Sequence, residues 1–212
     1  MADDSHLEYG ETVADDETQS EPAGDDTELP VKEGAIVGVS TFLLSYVSTF
    51  ALVQGALAMA GFDGEDVAAS WEIAAWTMLS GFGAAVEADG EVVSLMEAVP
   101  TEFLFVFSPV AVAVSLLVLV AAGYSMAKYT GASDAGEAAK AGALIVPGWL
   151  LLTVGFAVLA SWESEAEVTY TVATSDAILY AGLLIPALFA IAGGLLYSWP
   201  DPVEKAMAKL DG

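Results

Sequence analysis

The chain has no cysteine, no arginine and no asparagine, and its only histidine is His6. Without cysteine there are no disulfides, thiolate zinc sites or iron–sulfur clusters. A single histidine cannot supply the paired imidazoles of a membrane haem, and His6, set among acidic residues, reads as a solvated tail residue. The missing asparagine removes every N-glycosylation sequon. Cations are nearly as scarce: five lysines stand against 30 acidic residues, for a formal net charge of −25. Phosphate recognition needs clustered Lys and Arg, so a nucleic-acid partner is excluded. Self-repulsion on this scale is tolerable where screening is short-ranged, about 3 Å in 1 M salt against about 10 Å in 0.1 M. The composition therefore points to a halophilic, salt-rich setting.

What the chain has in abundance is apolar: 56% of residues are hydrophobic, only 17% are charged, and the mean hydropathy is +0.61. That balance places it in the membrane class. Residues 1–33 are the exception. Twelve acidic residues from Asp3 to Glu33, with Pro22, Gly24 and Pro30 among them, predict a disordered acidic tail. The acidic start also lacks the positive n-region of a secretory signal peptide. From Gly34 to Ala60 no charge occurs, and at about 1.5 Å per residue a helix of that length exceeds the roughly 30 Å hydrocarbon layer. The same test finds spans at about 103–127, 141–160 and 177–199. The expected fold is an all-α membrane bundle of four transmembrane helices over 34–199, followed by a short tail at 200–212.

Lysines collect on the cytoplasmic flanks of membrane helices. With four spans, Lys32, Lys128, Lys140, Lys205 and Lys209 all fall on one side. The opposite loops, 61–102 and 161–176, hold nine and four acidic residues and no base. Both termini are therefore expected in the cytoplasm, with the chain crossing the cell membrane as a multi-pass protein. The stretch 67–86, VAASWEIAAWTMLSGFGAAV, tempts as a fifth span, but a fifth crossing would put Lys128 and Lys140 outside. Its Gly and Ala dilute the hydropathy, Glu72 interrupts it, and Val67, Trp71, Ala74, Met78 and Phe82 recur at near-helical spacing. The expectation is a short amphipathic helix lying on the extracellular surface, on lipid or packed against the bundle ends, with Trp71 and Trp76 as anchors. Val168, Tyr170 and Val172 alternate as a strand that could pair with 91–97. Asp134 and Glu137 have capping-box spacing at the start of the third helix, after an inner hairpin of about ten residues.

No charged residue lies within the spans, so a carboxylate relay lacks its usual hardware. The most polar interior positions are Thr41, Ser45, Ser48, Thr49 and Gln54 on the first helix. The hydroxyls fall at three- and four-residue spacings along part of one face. They read as interhelical glue or, more sharply, as the wall of a polar pathway. Gly34 with Gly38, Ala51 with Gly55 and Ala190 with Gly194 have the small-xxx-small spacing of close helix contacts. Pro109, Pro147 and Pro186 are expected to bend the second, third and fourth helices, and Trp149 to pack between helices. No nucleophile elbow, Walker loop or HExxH occurs, so catalytic, cofactor and metal sites are all expected to be absent. The acidic loop at Asp63, Glu65 and Asp66 lacks EF-hand spacing and reads as a solvated face.

Three stretches, AAWTMLSGFGAAV, LLVLVAAGYSMAKYTGASDAGEAAKAGALIVPGWL and LLIPALFAIAGGLLY, resemble the small four-helix transmembrane proteins of halophilic archaea, many without assigned function, over roughly 34–199. The resemblance implies the layout and carries no catalytic motif. The expected role is that of a non-enzymatic structural or accessory membrane subunit, with the bilayer and a membrane-protein partner or second copy as its company. Two alternatives are a channel or transporter component, and an interaction or sensory module recruiting partners through the acidic tail.

Overall fold

The computed structural model describes residues 30–61, 68–99 and 102–199. The acidic tail up to residue 29, His6, the Asp63, Glu65 and Asp66 run, and Lys205 and Lys209 lie outside these residues. Four helical spans form the body: Val31–Ala60, Glu102–Thr130, Ala135–Leu159 and Thr174–Ser198, each long and apolar enough to cross a membrane. In hydrocarbon every backbone polar group must be satisfied within the segment, which a continuous helix does. Mean residue hydropathy therefore sets where the spans lie, while local chemistry sets where they stop.

The first helix, α1 (Val31–Ala60), begins immediately after Pro30, so Lys32 and Glu33 belong to its first turn and not to the tail. It ends at Gly61, whose left-handed conformation (φ 71°) turns its N–H back onto Leu57 and Ala58. A short helix, α2 (Ser70–Gly81), and the strands β1 (Val86–Ala88) and β2 (Glu91–Val93) come next, then one turn of helix, α3 (Leu95–Ala98). The second span, α4 (Glu102–Thr130), runs unbroken through Pro109. The third divides into α5 (Ala135–Ala143) and α6 (Val146–Leu159). The break falls just before Pro147, which has no N–H to offer the Ala143 carbonyl. After β3 (Trp162–Glu163) and β4 (Thr169–Val172), one turn, α7 (Thr174–Asp176), leads into a π-helical stretch, Ala177–Leu184, and then α8 (Ile185–Ser198).

The hairpin between the second and third spans is shorter than expected, residues 131–134, because both helices run beyond their apolar stretches. Asp134 caps α5 by accepting from the Gly136 and Glu137 amides at 2.7 and 2.9 Å. Glu137 reaches back to the Ser133 amide and hydroxyl rather than to Asp134.

At the opposite end of the bundle the loops form an antiparallel sheet in the order β2-β1-β4-β3. The strand expected near 167–176 is present as β4, but its partner is β1, with Val86 opposite Val172, and not the 91–97 stretch. That stretch supplies β2 and α3 instead. The Asp89-Gly90 pair explains the difference: both residues have positive φ, 51° and 83°, the two-residue turn that folds β2 back onto β1. Asp89 also exchanges hydrogen bonds with Thr169, at 2.9 Å through its amide and 2.9 Å through Oδ1, pinning the two loops together.

The spans pack α1 against α4 and α6, and α8 against α4 and α5. Close approach depends on glycines. A Cβ on Gly38 would strike the Ile145 carbonyl and one on Gly148 the Ala35 carbonyl; Gly123 and Gly193 lock α4 to α8 in the same reciprocal way, against Ala190 and Val120. The Gly34/Gly38 and Ala190/Gly194 spacings thus mark real interfaces. The Ala51/Gly55 spacing does not: both residues are exposed, and Gly55 has open space where a Cβ would go.

Candidate functional site

The only buried charge among the described residues is Glu72, in the first turn of α2. This helix does not lie on a surface. Ile73, Ala74, Ala75, Trp76, Thr77, Met78 and Leu79 are all buried, so a helix read as one-sided is apolar around most of its circumference, the mark of a core element. The small residues that dilute its hydropathy are what let it fit inside the ring of spans. Of the two tryptophans expected as anchors, Trp71 is 40% exposed and Trp76 is fully enclosed.

Three contacts fix its position. The Tyr46 hydroxyl of α1 donates to the Trp71 carbonyl at 3.0 Å. Trp76 Nε1 donates to the Ala160 carbonyl at 2.9 Å, satisfying a carbonyl at the end of α6 that has no helical partner. Phe82, just past the last turn, lies 5.8 Å from the Trp149 ring. A Cβ on Gly81 would meet Val112, which sits ten residues into α4, about 15 Å below its end at the usual helical rise. The helix therefore crosses within the bundle, between α1 and α4 on one side and α6 and the π-helical stretch on the other.

Below it the interior is filled by aromatic rings. Phe42 packs edge-on against Trp149 at 5.1 Å and beside Phe156 at 5.2 Å, and Tyr46 lies 4.5 Å from Phe156. Trp149, expected between helices, is fully buried there, and its Nε1 donates to the Ala181 carbonyl at 2.8 Å. That carbonyl has a specific need. In the π-helical stretch the Ile185 amide bonds the carbonyl five residues back, at Tyr180. The next bond in that ladder would run from residue 186 to Ala181, and Pro186 has no N–H. Trp149 supplies the missing donor.

The hydroxyl face of α1 divides. Thr41, Ser45 and Thr49 are buried together, Ser48 is half-buried, and Gln54 is exposed on another side. Gln54 therefore does not belong to the face. Thr41, Ser48 and Thr49 bond carbonyls of their own helix, at Val37, Leu44 and Ser45, as does Thr153 of α6, at Trp149. Ser45 and Ser115 are buried with no hydrogen-bond partner. Most of the stripe thus folds its polarity into local backbone bonds and presents methyl and methylene groups to neighbouring helices.

Glu72 accepts from the Ala69 amide at 2.8 Å. Burial raises the pKa of its carboxyl from the ordinary value, against the lowering effect of that amide. The described lysines offer no help, since Lys32, Lys128 and Lys140 stand at the hairpin end. A carboxyl whose folded pKa is raised penalises the folded state once pH exceeds its unfolded value of about 4.3, fully so above the folded value. Glu72→Gln, which keeps an acceptor for Ala69, should then melt above the native protein at neutral pH, with the difference closing as pH falls below about 4. Equal melting temperatures across that range would refute the burial argument.

Sequence reasoning took Glu72 as a charge interrupting a surface helix, because the burial of α2 depends on helices distant from it in the chain. Among the described residues no three His, Cys, Asp or Glu side chains converge as a metal site. Comparison with curated proteins and with solved structures gave no match. A family model described as a family of unknown function, DUF7978, matches residues 13–201, most of the chain, and the protein belongs to that family.

Proposed function

We propose that the protein is a non-enzymatic structural or accessory subunit of the cell membrane, crossing it four times with both termini in the cytoplasm. The observation that carries this reading is the closed interior. Between the described spans, α2 and the rings of Phe42, Phe82, Trp149 and Phe156 occupy the centre, and most of the span hydroxyls are bonded to their own backbone. Purified protein in liposomes is expected to pass ions and small solutes no faster than empty vesicles. Flux well above that level would end this reading.

One observation favours transport instead: a buried carboxylate on a helix that enters the bundle from one end, since ionisable groups in such positions commonly serve ion or proton paths. On that reading Glu72→Gln removes the flux while assembly is retained. Orientation has its own test. Single cysteines replacing Ser133 and Ser164, probed with an impermeant maleimide on whole cells, should react only at position 164. Labelling at 133 would invert the topology.

A further inference from the structure

The end of α2, the turn α3 and the first half of α4 enclose a cleft of about 500 Å³. Gly81, Leu95, Met96, Phe105, Val112 and Leu116 give it an almost wholly apolar wall, and Ser94 and Ser108 are its polar members. Phe105 is 72% exposed at the rim, so the cleft opens toward the layer that surrounds the spans.

Ser108 is one of three span serines, with Ser45 and Ser115, whose buried hydroxyl has no partner, and of the three it is the one that lines this cleft. Serine and threonine hydroxyls elsewhere in the spans, at Ser40, Thr41, Ser48, Thr49, Ser125 and Thr153, bond a carbonyl four residues back. The Ser108 Oγ is buried and has no partner. Beside it, Pro109 cannot donate to the Phe105 carbonyl, and both residues line the same cleft. Ser108 and Pro109 therefore belong to the wall by their carbon atoms, with the Ser108 hydroxyl closed off, and the groove itself is apolar.

Depth identifies what fits. With 29 residues, α4 is about 43 Å long and overshoots the hydrocarbon layer of roughly 30 Å by about 6 Å at each end. The boundary then falls near Val106. Ser108 sits just inside it, at the level where the linkage oxygens of a lipid meet its chains, and Val112 and Leu116 line the next two turns inward. The volume is in the range of small-molecule sites built from apolar walls and a few polar groups.

We propose that this cleft is a binding site for one hydrocarbon chain of a membrane lipid from the leaflet at the sheet end. The site rests on the multi-pass membrane reading, which an alkaline wash checks separately: release of the full chain from membranes would defeat that reading before any lipid is considered.

The test reconstitutes the full chain in phosphatidylglycerol vesicles containing phosphatidylglycerol with a diazirine on its chain. Photolabel should concentrate on Met96, Phe105, Val112 and Leu116 over Leu151 and Leu188, which are also exposed but lie on other helices. Ala113→Phe, a change at an exposed position lining the cleft, should reduce cleft labelling to the level of Leu151 and Leu188. Uniform labelling of the native protein overturns the site, and so does cleft labelling unchanged by Ala113→Phe. Displacement of the label by a co-purifying apolar compound that is not a lipid overturns the assignment of the occupant.

Discussion

Trp149→Ala should destabilise the protein by about 3–5 kcal/mol, the range for removing a buried tryptophan, and Trp149→Phe should separate the two reasons why. Phenylalanine keeps much of the contact with Phe42 and Phe82 but cannot donate to the Ala181 carbonyl. Because that carbonyl lacks a helical donor on account of Pro186, the two positions are energetically coupled. Pro186→Ala restores an N–H at the place where the π-helical ladder lacks one. In that background Trp149→Phe should cost less than in the native chain, by about 0.6–2 kcal/mol, the range for polar contacts between membrane helices. Thermal unfolding of the four proteins in one detergent reads the coupling directly. An identical cost in both backgrounds would mean that the indole acts by packing alone.

The second large effect concerns backbone contact. Gly148→Leu places a branched side chain where the Ala35 carbonyl of α1 now sits, and nothing flexible there can move aside. Overpacking of this kind costs about 1–3 kcal/mol when side chains can shift; here backbone blocks the way, so the variant should fail to give a monodisperse folded protein. Gly55→Leu is the control. It carries the same change on α1, at a glycine that meets nothing, and its melting temperature should stay near that of the native protein. If Gly148→Leu unfolds at the native temperature, α1 and α6 do not approach as closely as described.

Residues can be read from sequence when their effect depends on neighbours along the chain. The four spans could be read because hydropathy sums over consecutive residues, and the α5 cap because Asp134 bonds amides two and three positions on. The same locality explains the errors at helix ends, where α4 and α5 run on past their apolar stretches and shorten the hairpin. Asp89-Gly90 shows a local signal of another kind, since it fixes β1 to β2 and so leaves β1 as the partner of β4.

The position of α2 was not available in that way. A helix with mixed small and large apolar residues has the same composition on a surface or in a core, and the choice depends on whether four distant helices leave a space of its shape. Gln54 and the hydroxyl face of α1 differ for the same reason: helical spacing gives the angle of each side chain, but only the packed neighbours say which angle is inside.

By itself, then, the amino-acid order determined that the chain has four membrane-length helices, their approximate limits, and an interior without charge in those helices, because each is a property of one continuous segment. Only the tertiary structure decided that α2 is a buried wedge, that Glu72 is enclosed, and that Trp149 completes the backbone bonding of a helix 32 positions away. Those outcomes come from surfaces meeting across large separations in the chain, where one carbonyl without a donor or one glycine without a side chain selects the arrangement.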